Sequence, residues 1–222
     1  MKTVVFDLDG TLADTSGDLI AAANASFERL GHGALLDPVA DAGTAFRGGR
    51  AMLRLGLERA GALDEATVDA AYPDLLDWYG ENIDVFTTMY PGAVDAVDAL
   101  RSAGYKVSVC TNKPEGLAET LLQRLGVRDL FDALVGADTL PVRKPEPAPY
   151  VAAVERAGGV VATSYLLGDT VTDRKTARAV GVPCALVTFG PDGHGVSELE
   201  PEALLHGYED LADVTQRLIG HP

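Results

Sequence analysis

Short runs of β-branched, aliphatic and aromatic residues recur along the chain, and polar or glycine residues follow each of them. The clearest runs cover residues 3–6, 105–110, 133–135 and 165–167, and a weaker one covers residues 184–187. Runs of this length and composition are typical of buried strands that end in loops. The pattern therefore predicts four strands and, from the weaker run, a fifth.

Segments with apolar residues at helical spacing separate these runs. They cover residues 92–103, 115–125, 147–157 and 172–180, and a last amphipathic segment covers residues 208–219. A glycine stands at or just past the end of each of the first four, which is typical of a helix C-terminus: Gly104, Gly126, Gly158 and Gly181. Strands that alternate with helices predict an α/β fold, a Rossmann-like core in which helices cover both faces of a parallel sheet.

The stretch from residue 15 to residue 85 departs from this alternation. It has apolar residues at helical spacing over residues 18–30, 50–60 and 67–79, and it contains no convincing strand. We therefore expect two domains. Residues 1–14 and 86–222 form the α/β core, and residues 15–85 form an inserted α-helical cap.

Composition and charge narrow the range of functions. Hydrophobic residues make up 47% of the 222 residues, enough for a sizeable core. The formal net charge of -15 disfavours binding to a nucleic-acid backbone. No apolar stretch is long enough to span a bilayer, and the two cysteines, Cys110 and Cys184, do not make a disulfide framework. We expect a soluble cytoplasmic protein without a nucleic-acid or membrane partner. A homodimer is a further hypothesis, in which an apolar face of the cap pairs two copies.

Polar residues are concentrated where the predicted strands end, which is where sites form in an open parallel sheet. They are Asp7, Asp9, Gly10 and Thr11 after the first strand, Thr111, Asn112 and Lys113 after the second, Lys144 before a later helix, and Gly168, Asp169 and Asp173. Four carboxylates in one crevice predict a hard divalent cation with oxygen ligands, and Mg²⁺ is the expected ion. The hydroxyl of Thr111 and the ammonium of Lys144 would complete a pocket for a phosphoryl group.

Ordinary structural explanations exist for several of these residues. An Asp-Gly pair after a strand is commonly just a turn. Thr111 is a candidate N-cap for the helix after Pro114, and Asp173 is a favourable charge in the first turn of a helix. Lys144 is one of only five lysines, and its place at a strand–helix junction favours a function. We expect Cys110 to be a buried strand residue.

The polar segments, taken in order, resemble the four motifs of the haloacid dehalogenase superfamily. They are Asp7-Leu8-Asp9-Gly10-Thr11, Cys110-Thr111-Asn112-Lys113, Lys144-Pro145-Glu146-Pro147, and Gly168-Asp169-Thr170 with Asp173. The resemblance covers essentially the whole chain, because the helical insert is similar to the C1 cap of that superfamily. The segments at 111–114 and 144–147 resemble the phosphoglycolate phosphatase subgroup.

This resemblance implies a role for each matching residue. Asp7 would be the nucleophile that forms an aspartyl phosphate, and Asp9 the general acid and then the general base. Asp7, the backbone carbonyl of Asp9, Asp169 and Asp173 would hold Mg²⁺, the last through water or an outer-shell bond. Thr111, Asn112 and Lys144 would bind the substrate, a small phosphate ester of which 2-phosphoglycolate is the first choice.

Other functions stay open on the sequence. A sugar phosphomutase of the same superfamily keeps both aspartates, and a pyrophosphatase shares the chemistry. An aspartyl-phosphate signalling module is the non-enzymatic alternative, although it would be shorter and would lack a cap. Within the insert, Arg47 and Arg50 flank two glycines, and we hypothesise that they contact a substrate carboxylate. The competing explanation is that both arginines are solvated at the start of a helix.

Overall fold

A computed structural model describes all residues from Met1 to Pro222. The chain divides into two compact units. One unit contains residues 1–13 and 89–222, and the other is the intervening segment Asp14–Thr88. The sequence predicts boundaries after residues 14 and 85. No helix is both long enough and apolar enough to cross a membrane.

The regular structure consists of eight strands, nine α-helices and four short 3₁₀ helices. The strands are β1 (Thr3–Phe6), β2 (Ala13–Asp14), β3 (Thr88–Met89), β4 (Lys106–Cys110), β5 (Ala133–Val135), β6 (Ser164–Gly168), β7 (Cys184–Val187) and β8 (Ala203–Leu205). The helices are α1 (Ser16–Arg29), α2 (Ala42–Ala45), α3 (Gly49–Arg59), α4 (Glu65–Glu81), α5 (Ala93–Ser102), α6 (Glu115–Arg124), α7 (Pro147–Arg156), α8 (Val171–Val180) and α9 (Leu211–Ile219).

The first unit is built on a six-stranded sheet in the order β5-β4-β1-β6-β7-β8. Every neighbouring pair is parallel, and in the register of β1 Thr3 lies opposite Lys106 on one side and Ser164 on the other. All four residues of β1 are buried, as expected for a central strand of a parallel sheet with both faces covered. The predicted α/β fold with a parallel sheet is confirmed.

The strand order determines where the site lies. Because β1 runs between β4 and β6, the residues that follow these three strands meet at one edge of the sheet. Asp7 follows β1, Thr111 follows β4 and Asp169 follows β6. Cys110 and Cys184 are free and buried, and burial raises the pKa of the Cys110 thiol to about 12. Cys110 is thus the buried strand residue that the sequence predicts.

Some short elements are not predicted from the sequence. The edge strand β8 has only three residues and pairs with β7, and the helix α2 has only four. The strands β2 and β3 have two residues each and pair with each other. The strands β2 and β3 and the helix α2 are too short for a hydrophobic period to show, and β8 consists of Ala and Leu without a β-branched or aromatic residue. The four glycines expected at helix ends all have positive φ, which confirms those ends: Gly104, Gly126, Gly158 and Gly181.

The second unit is helical, with α1 packed on both α3 and α4. At Gly56 of α3, the ring of Phe27 from α1 lies directly on the helix, so an added Cβ would be 2.1 Å from Cζ. Asp18 is fully buried near the start of α1, and its carboxylate accepts hydrogen bonds from the backbone N–H groups of Phe86 and Thr87. These hydrogen bonds connect the first helix of the second unit to the last residues of the same unit.

Candidate active site

Asp7 is buried immediately after β1, and both of its carboxylate oxygens have partners. Oδ1 accepts a hydrogen bond from the backbone N–H of Leu8 at 2.7 Å. Oδ2 lies 3.0 Å from Nζ of Lys144. The sheet therefore presents the Asp7 carboxylate at its edge in a defined orientation, next to a positive charge.

Lys144 joins two of the carboxylates. Its Nζ donates to Oδ1 of Asp173 at 2.7 Å in addition to its ion pair with Asp7, and its side chain is 1% exposed. Burial opposes the ammonium charge, but Asp173 and Asp7 outweigh it and raise the pKa of Lys144. The backbone carbonyl of Lys144 accepts a hydrogen bond from Nδ2 of Asn112 at 3.0 Å. Asn112 thus helps to fix the loop that carries the lysine.

Asp169 follows β6 and is fully buried. Its Oδ1 accepts a hydrogen bond from Oγ1 of Thr11 at 3.0 Å, whereas its Oδ2 is buried and has no hydrogen-bond partner. Buried carboxylate oxygens normally have a hydrogen-bond partner, so this oxygen is available to coordinate a cation. Gly168 makes the arrangement possible, because a Cβ there would be 2.3 Å from Cγ of Asp173.

Asp173 lies in the first turn of α8 and has a structural role as well as its bond to Lys144. Its Oδ2 accepts from the backbone N–H and the hydroxyl of Thr170, the residue that precedes the helix. The first-turn position suggested by the sequence is therefore real. Both oxygens of Asp173 are already engaged, unlike those of Asp169.

Three carboxylates of the site form one cluster. Oxygen atoms of Asp7, Asp169 and Asp173 all lie within 4.8 Å of one another. With Lys144 as the adjoining cation, the three groups when ionised would set three negative charges against one positive charge. Burial, with repulsion between the carboxylates, raises the pKa of Asp7 to about 7 and that of Asp169 well above 3.8. Oxygen donors, excess negative charge and one unpartnered oxygen fit a hard divalent cation.

Asp9 is not a member of this cluster. Its Oδ1 lies 2.7 Å from Nζ of Lys113, a lysine whose side chain is 4% exposed. Lys113 is one of the polar residues that follow β4, and the sequence pattern assigns it no role. Nothing in the chain order pairs Lys113 with Asp9, because the contact depends on β4 lying beside β1.

Thr111 is buried directly after β4. Its Oγ1 accepts a hydrogen bond from the backbone N–H of Lys113 at 3.1 Å. The N-cap of α6 is Pro114, so the suggestion that Thr111 is that cap is wrong. The hydroxyl instead stabilises the loop at the edge of the sheet, next to the residues that follow β1.

Arg47 and Arg50 belong to the second unit. Arg47 is exposed between α2 and α3, and Arg50 lies in the first turn of α3. The guanidinium group of Arg50 pairs with Asp69, and its Cζ lies 4.3 Å from the ring centroid of Tyr72. Arg50 is thus already engaged with residues of its own unit.

Comparison with known proteins shows the family to which the chain belongs. Residues 1–181 match the model of a hydrolase family described as haloacid dehalogenase-like hydrolase. Two relatives named phosphoglycolate phosphatase, from Mesorhizobium japonicum and Agrobacterium fabrum, are each 37% identical to the chain. The matches cover 97% and 96% of this chain and 96% and 91% of the relatives.

The fold has counterparts among solved structures. A crystal structure of a predicted phosphoglycolate phosphatase from Haemophilus somnus 129pt superposes with a TM-score of 0.85 at 24% identity. The superposition covers 97% of this chain and 98% of that one. The family model and the relatives together cover nearly all of the chain. The chain therefore belongs to the haloacid dehalogenase-like hydrolase family, among its phosphatases.

Proposed function

We propose that the protein is a Mg²⁺-dependent phosphomonoester hydrolase that works through an aspartyl-phosphate intermediate. The observation that carries this proposal is the buried ammonium of Lys144, which joins Asp7 to Asp173 beside the unpartnered oxygen of Asp169. Phosphoryl transfer needs a nucleophile, charge neutralisation and a means of moving one proton. The residues at this edge of the sheet can supply each of them.

In the first half of the reaction, a carboxylate oxygen of Asp7 attacks the phosphorus atom of the ester. A bond forms between that oxygen and phosphorus, and the bond from phosphorus to the alcohol oxygen breaks. The electron pair of the broken bond goes to the alcohol oxygen, which takes a proton from the carboxyl group of Asp9. The alcohol then leaves, and the phosphoryl group stays on Asp7.

In the second half, a water molecule attacks the phosphorus atom of the intermediate. Asp9, now a carboxylate, takes a proton from the water, and the bond between phosphorus and Asp7 breaks. The electron pair returns to the Asp7 carboxylate, and inorganic phosphate leaves. Asp9 acts once as an acid and once as a base, so the enzyme is unchanged after each turnover.

Several groups would hold the transferred phosphoryl group and its charge. Lys144 and Thr111 are the direct contacts, and Asn112 supports them through its bond to the Lys144 carbonyl. The residues that would hold Mg²⁺ are Asp7, the backbone carbonyl of Asp9, Asp169 and Asp173. Bound there, Mg²⁺ supplies positive charge that neutralises the phosphoryl oxygens. Asp173 accepts four hydrogen bonds, from Nζ of Lys144, from the N–H groups of Asp169 and Thr170 and from the Thr170 hydroxyl, whereas Asp7 has two partners, so we assign Asp173 an outer-shell role.

The proposed substrate is 2-phosphoglycolate. Its support is the 37% identity to relatives named phosphoglycolate phosphatase over almost the full length of both chains. The second unit would act as a C1 cap, and Arg47 and Arg50 remain the proposed contacts of the substrate carboxylate. We also propose a cytoplasmic location, which suits two cysteines that are free and buried rather than joined.

The test is steady-state phosphate release with Mg²⁺ from a panel of esters. The panel contains 2-phosphoglycolate, p-nitrophenyl phosphate, sugar phosphates and pyrophosphate, and the enzymes are the wild type, D7N and D132N. Asp132 is the matched control, because it also pairs with a lysine, Lys106, but at the other end of β4. We expect the highest kcat/KM for 2-phosphoglycolate, no turnover by D7N and normal turnover by D132N.

Two results would contradict the proposal at different levels. Turnover that is spread evenly over the esters would overturn the assignment of 2-phosphoglycolate but not the phosphatase mechanism. Turnover by D7N close to that of the wild type would overturn the mechanism itself.

A further inference from the structure

We propose that Lys113 is a positioning residue that sets the orientation of the Asp9 carboxylate for proton transfer. This inference rests on the proposed role of Asp9 as general acid and base. It concerns a residue for which neither the sequence pattern nor the metal cluster supplies a role.

The contact is a short ion pair at a largely buried place. Nζ of Lys113 lies 2.7 Å from Oδ1 of Asp9, and the two side chains are 4% and 19% exposed. Burying an ammonium group is costly unless an opposite charge and hydrogen bonds compensate for it. A lysine in this position therefore depends on the Asp9 carboxylate, and the carboxylate in turn is held on one side by the lysine.

The backbone around Lys113 is fixed from both directions. Its N–H donates to Oγ1 of Thr111 at 3.1 Å, and its carbonyl accepts from the N–H of Ala137 at 2.9 Å. The chain at Gly136 passes so close to Glu115 that an added Cβ would be 2.4 Å from the Glu115 backbone nitrogen. The loop after β4 is thus packed against the residues after β5, so the backbone that carries the Lys113 side chain is fixed.

The backbone of Asp9 is also held, but its side chain needs a separate support. The turn after β1 is closed by hydrogen bonds from Gly10 N–H to the Ala13 carbonyl and from Leu12 N–H to the Leu8 carbonyl. These bonds leave the two side-chain torsions of Asp9 unset. An ion pair at Oδ1 restrains both torsions, which determines the direction in which the carboxyl group faces.

The two buried lysines of the site therefore have different tasks. Lys144 contacts Asp7 and Asp173, so its charge acts on the nucleophile and the metal cluster. Lys113 contacts Asp9, which lies outside that cluster. General acid–base catalysis is sensitive to position, and a misplacement of about 1 Å can cost about 10²-fold in rate. Loss of Lys113 should consequently affect proton transfer more than phosphoryl binding.

The test uses two leaving groups that differ in their need for an acid. The alkoxide of glycolate must be protonated as it leaves, whereas p-nitrophenolate is a weakly basic anion that leaves without a proton. In K113M, we expect single-turnover release of glycolate to fall about 10²-fold and the initial burst of p-nitrophenolate to change less than about threefold. The KM for 2-phosphoglycolate should stay close to that of the wild type.

Matched variants separate positioning from a general structural effect. K106M removes a Lys–Asp pair of similar length, 2.8 Å, at the opposite end of β4, and it should leave both rates unchanged. K113R keeps the positive charge and should recover most of the lost rate. In a D9N background, adding K113M should cause little further loss, because the lysine acts through Asp9. If K113M does not fold, K113Q replaces it in every comparison.

The proposal is overturned if K113M slows both leaving groups equally, or if it raises KM without changing the single-turnover rate. The second result would make Lys113 a substrate contact. A full additional loss in the D9N background would also overturn it, since the lysine would then act independently. Failure of the proposed function is distinguishable, because in that case the wild type would release no phosphate or D7N would remain active.

Discussion

At the scale of single residues, the central feature is a buried excess of negative charge. Asp7, Asp169 and Asp173 share a small space with one ammonium group, that of Lys144. Burial makes this costly for the folded protein, and the raised pKa of Asp7 and of Asp169 expresses the cost. The site stores electrostatic strain that a bound cation would relieve.

The first prediction concerns the pH dependence of stability without metal. In the folded state the pKa of Asp7 is about 7, compared with its ordinary value of 3.8. Below pH 3.8 the carboxyl group of Asp7 carries its proton in both the folded and the unfolded state. The contribution of this group to the free energy of unfolding is therefore largest there. As pH rises towards 7 the unfolded state releases its proton first, so the free energy of unfolding should fall, by a few kcal/mol in order of magnitude.

The measurement is urea unfolding in a chelator from pH 5 to pH 8 for the wild type, D7N and the control D132N. D7N should show a shallower decrease of stability with pH, whereas D132N should follow the wild type. Mg²⁺ favours the ionised carboxylates, so it should raise the Tm more at pH 8 than at pH 5. Equal slopes for D7N and the wild type would show that Asp7 is not the group responsible.

At the scale of elements, helix packing in the second unit gives an independent prediction. In G56A, the new methyl group would meet the ring of Phe27, which is fully buried and has little room to move. The gain in helix propensity is about 1 kcal/mol, whereas overpacking costs about 1–3 kcal/mol. We therefore expect G56A to lower the free energy of unfolding of this unit by about 1 kcal/mol.

The matched control is G116A, in α6 of the first unit. A Cβ at Gly116 meets nothing within 4 Å, so this change should be neutral or stabilising by about 0.5 kcal/mol. Far-ultraviolet circular dichroism follows the unfolding of both units, and the fluorescence of the single tryptophan, Trp78 in α4, follows the second unit alone. Equal stabilisation by both substitutions would contradict the close packing of α1 on α3.

The elements also show how far sequence reasoning reaches. The strands β1, β5 and β7 and the glycine helix ends follow from patterns that are local in the chain, so they are predictable to within a residue. The strand β8 is not predictable, because its three residues are Ala and Leu and include no β-branched or aromatic residue that would favour a strand.

The same limit applies to the candidate site. Asp7, Asp169, Asp173 and Lys144 stand next to strand or helix ends, so a parallel sheet suffices to predict that they meet. The separation of the aspartates into two groups is different, because it depends on side-chain contacts. Lys113 forms an ion pair with Asp9, whereas Lys144 forms ion pairs with Asp7 and Asp173. No one-dimensional pattern distinguishes which lysine reaches which carboxylate.

At the scale of the whole molecule, the site is assembled from distant parts of the chain. Thr11 and Asp169 are 158 residues apart and share a hydrogen bond. Lysines are scarce in this acidic protein, yet two of the five, Lys113 and Lys144, are buried at this one edge of the sheet. The placement of scarce positive charge next to clustered carboxylates is what the proposed chemistry requires.

The central claim is that Asp7 carries the phosphoryl group, and D9N tests it most directly. This variant lacks the base for the second half of the reaction, while p-nitrophenyl phosphate needs no acid in the first half. We expect one equivalent of p-nitrophenolate in a burst, and a phosphoryl group on the peptide that contains Asp7 after acid quench and mass analysis. The absence of a burst, or a phosphoryl group on any other residue, would contradict the account.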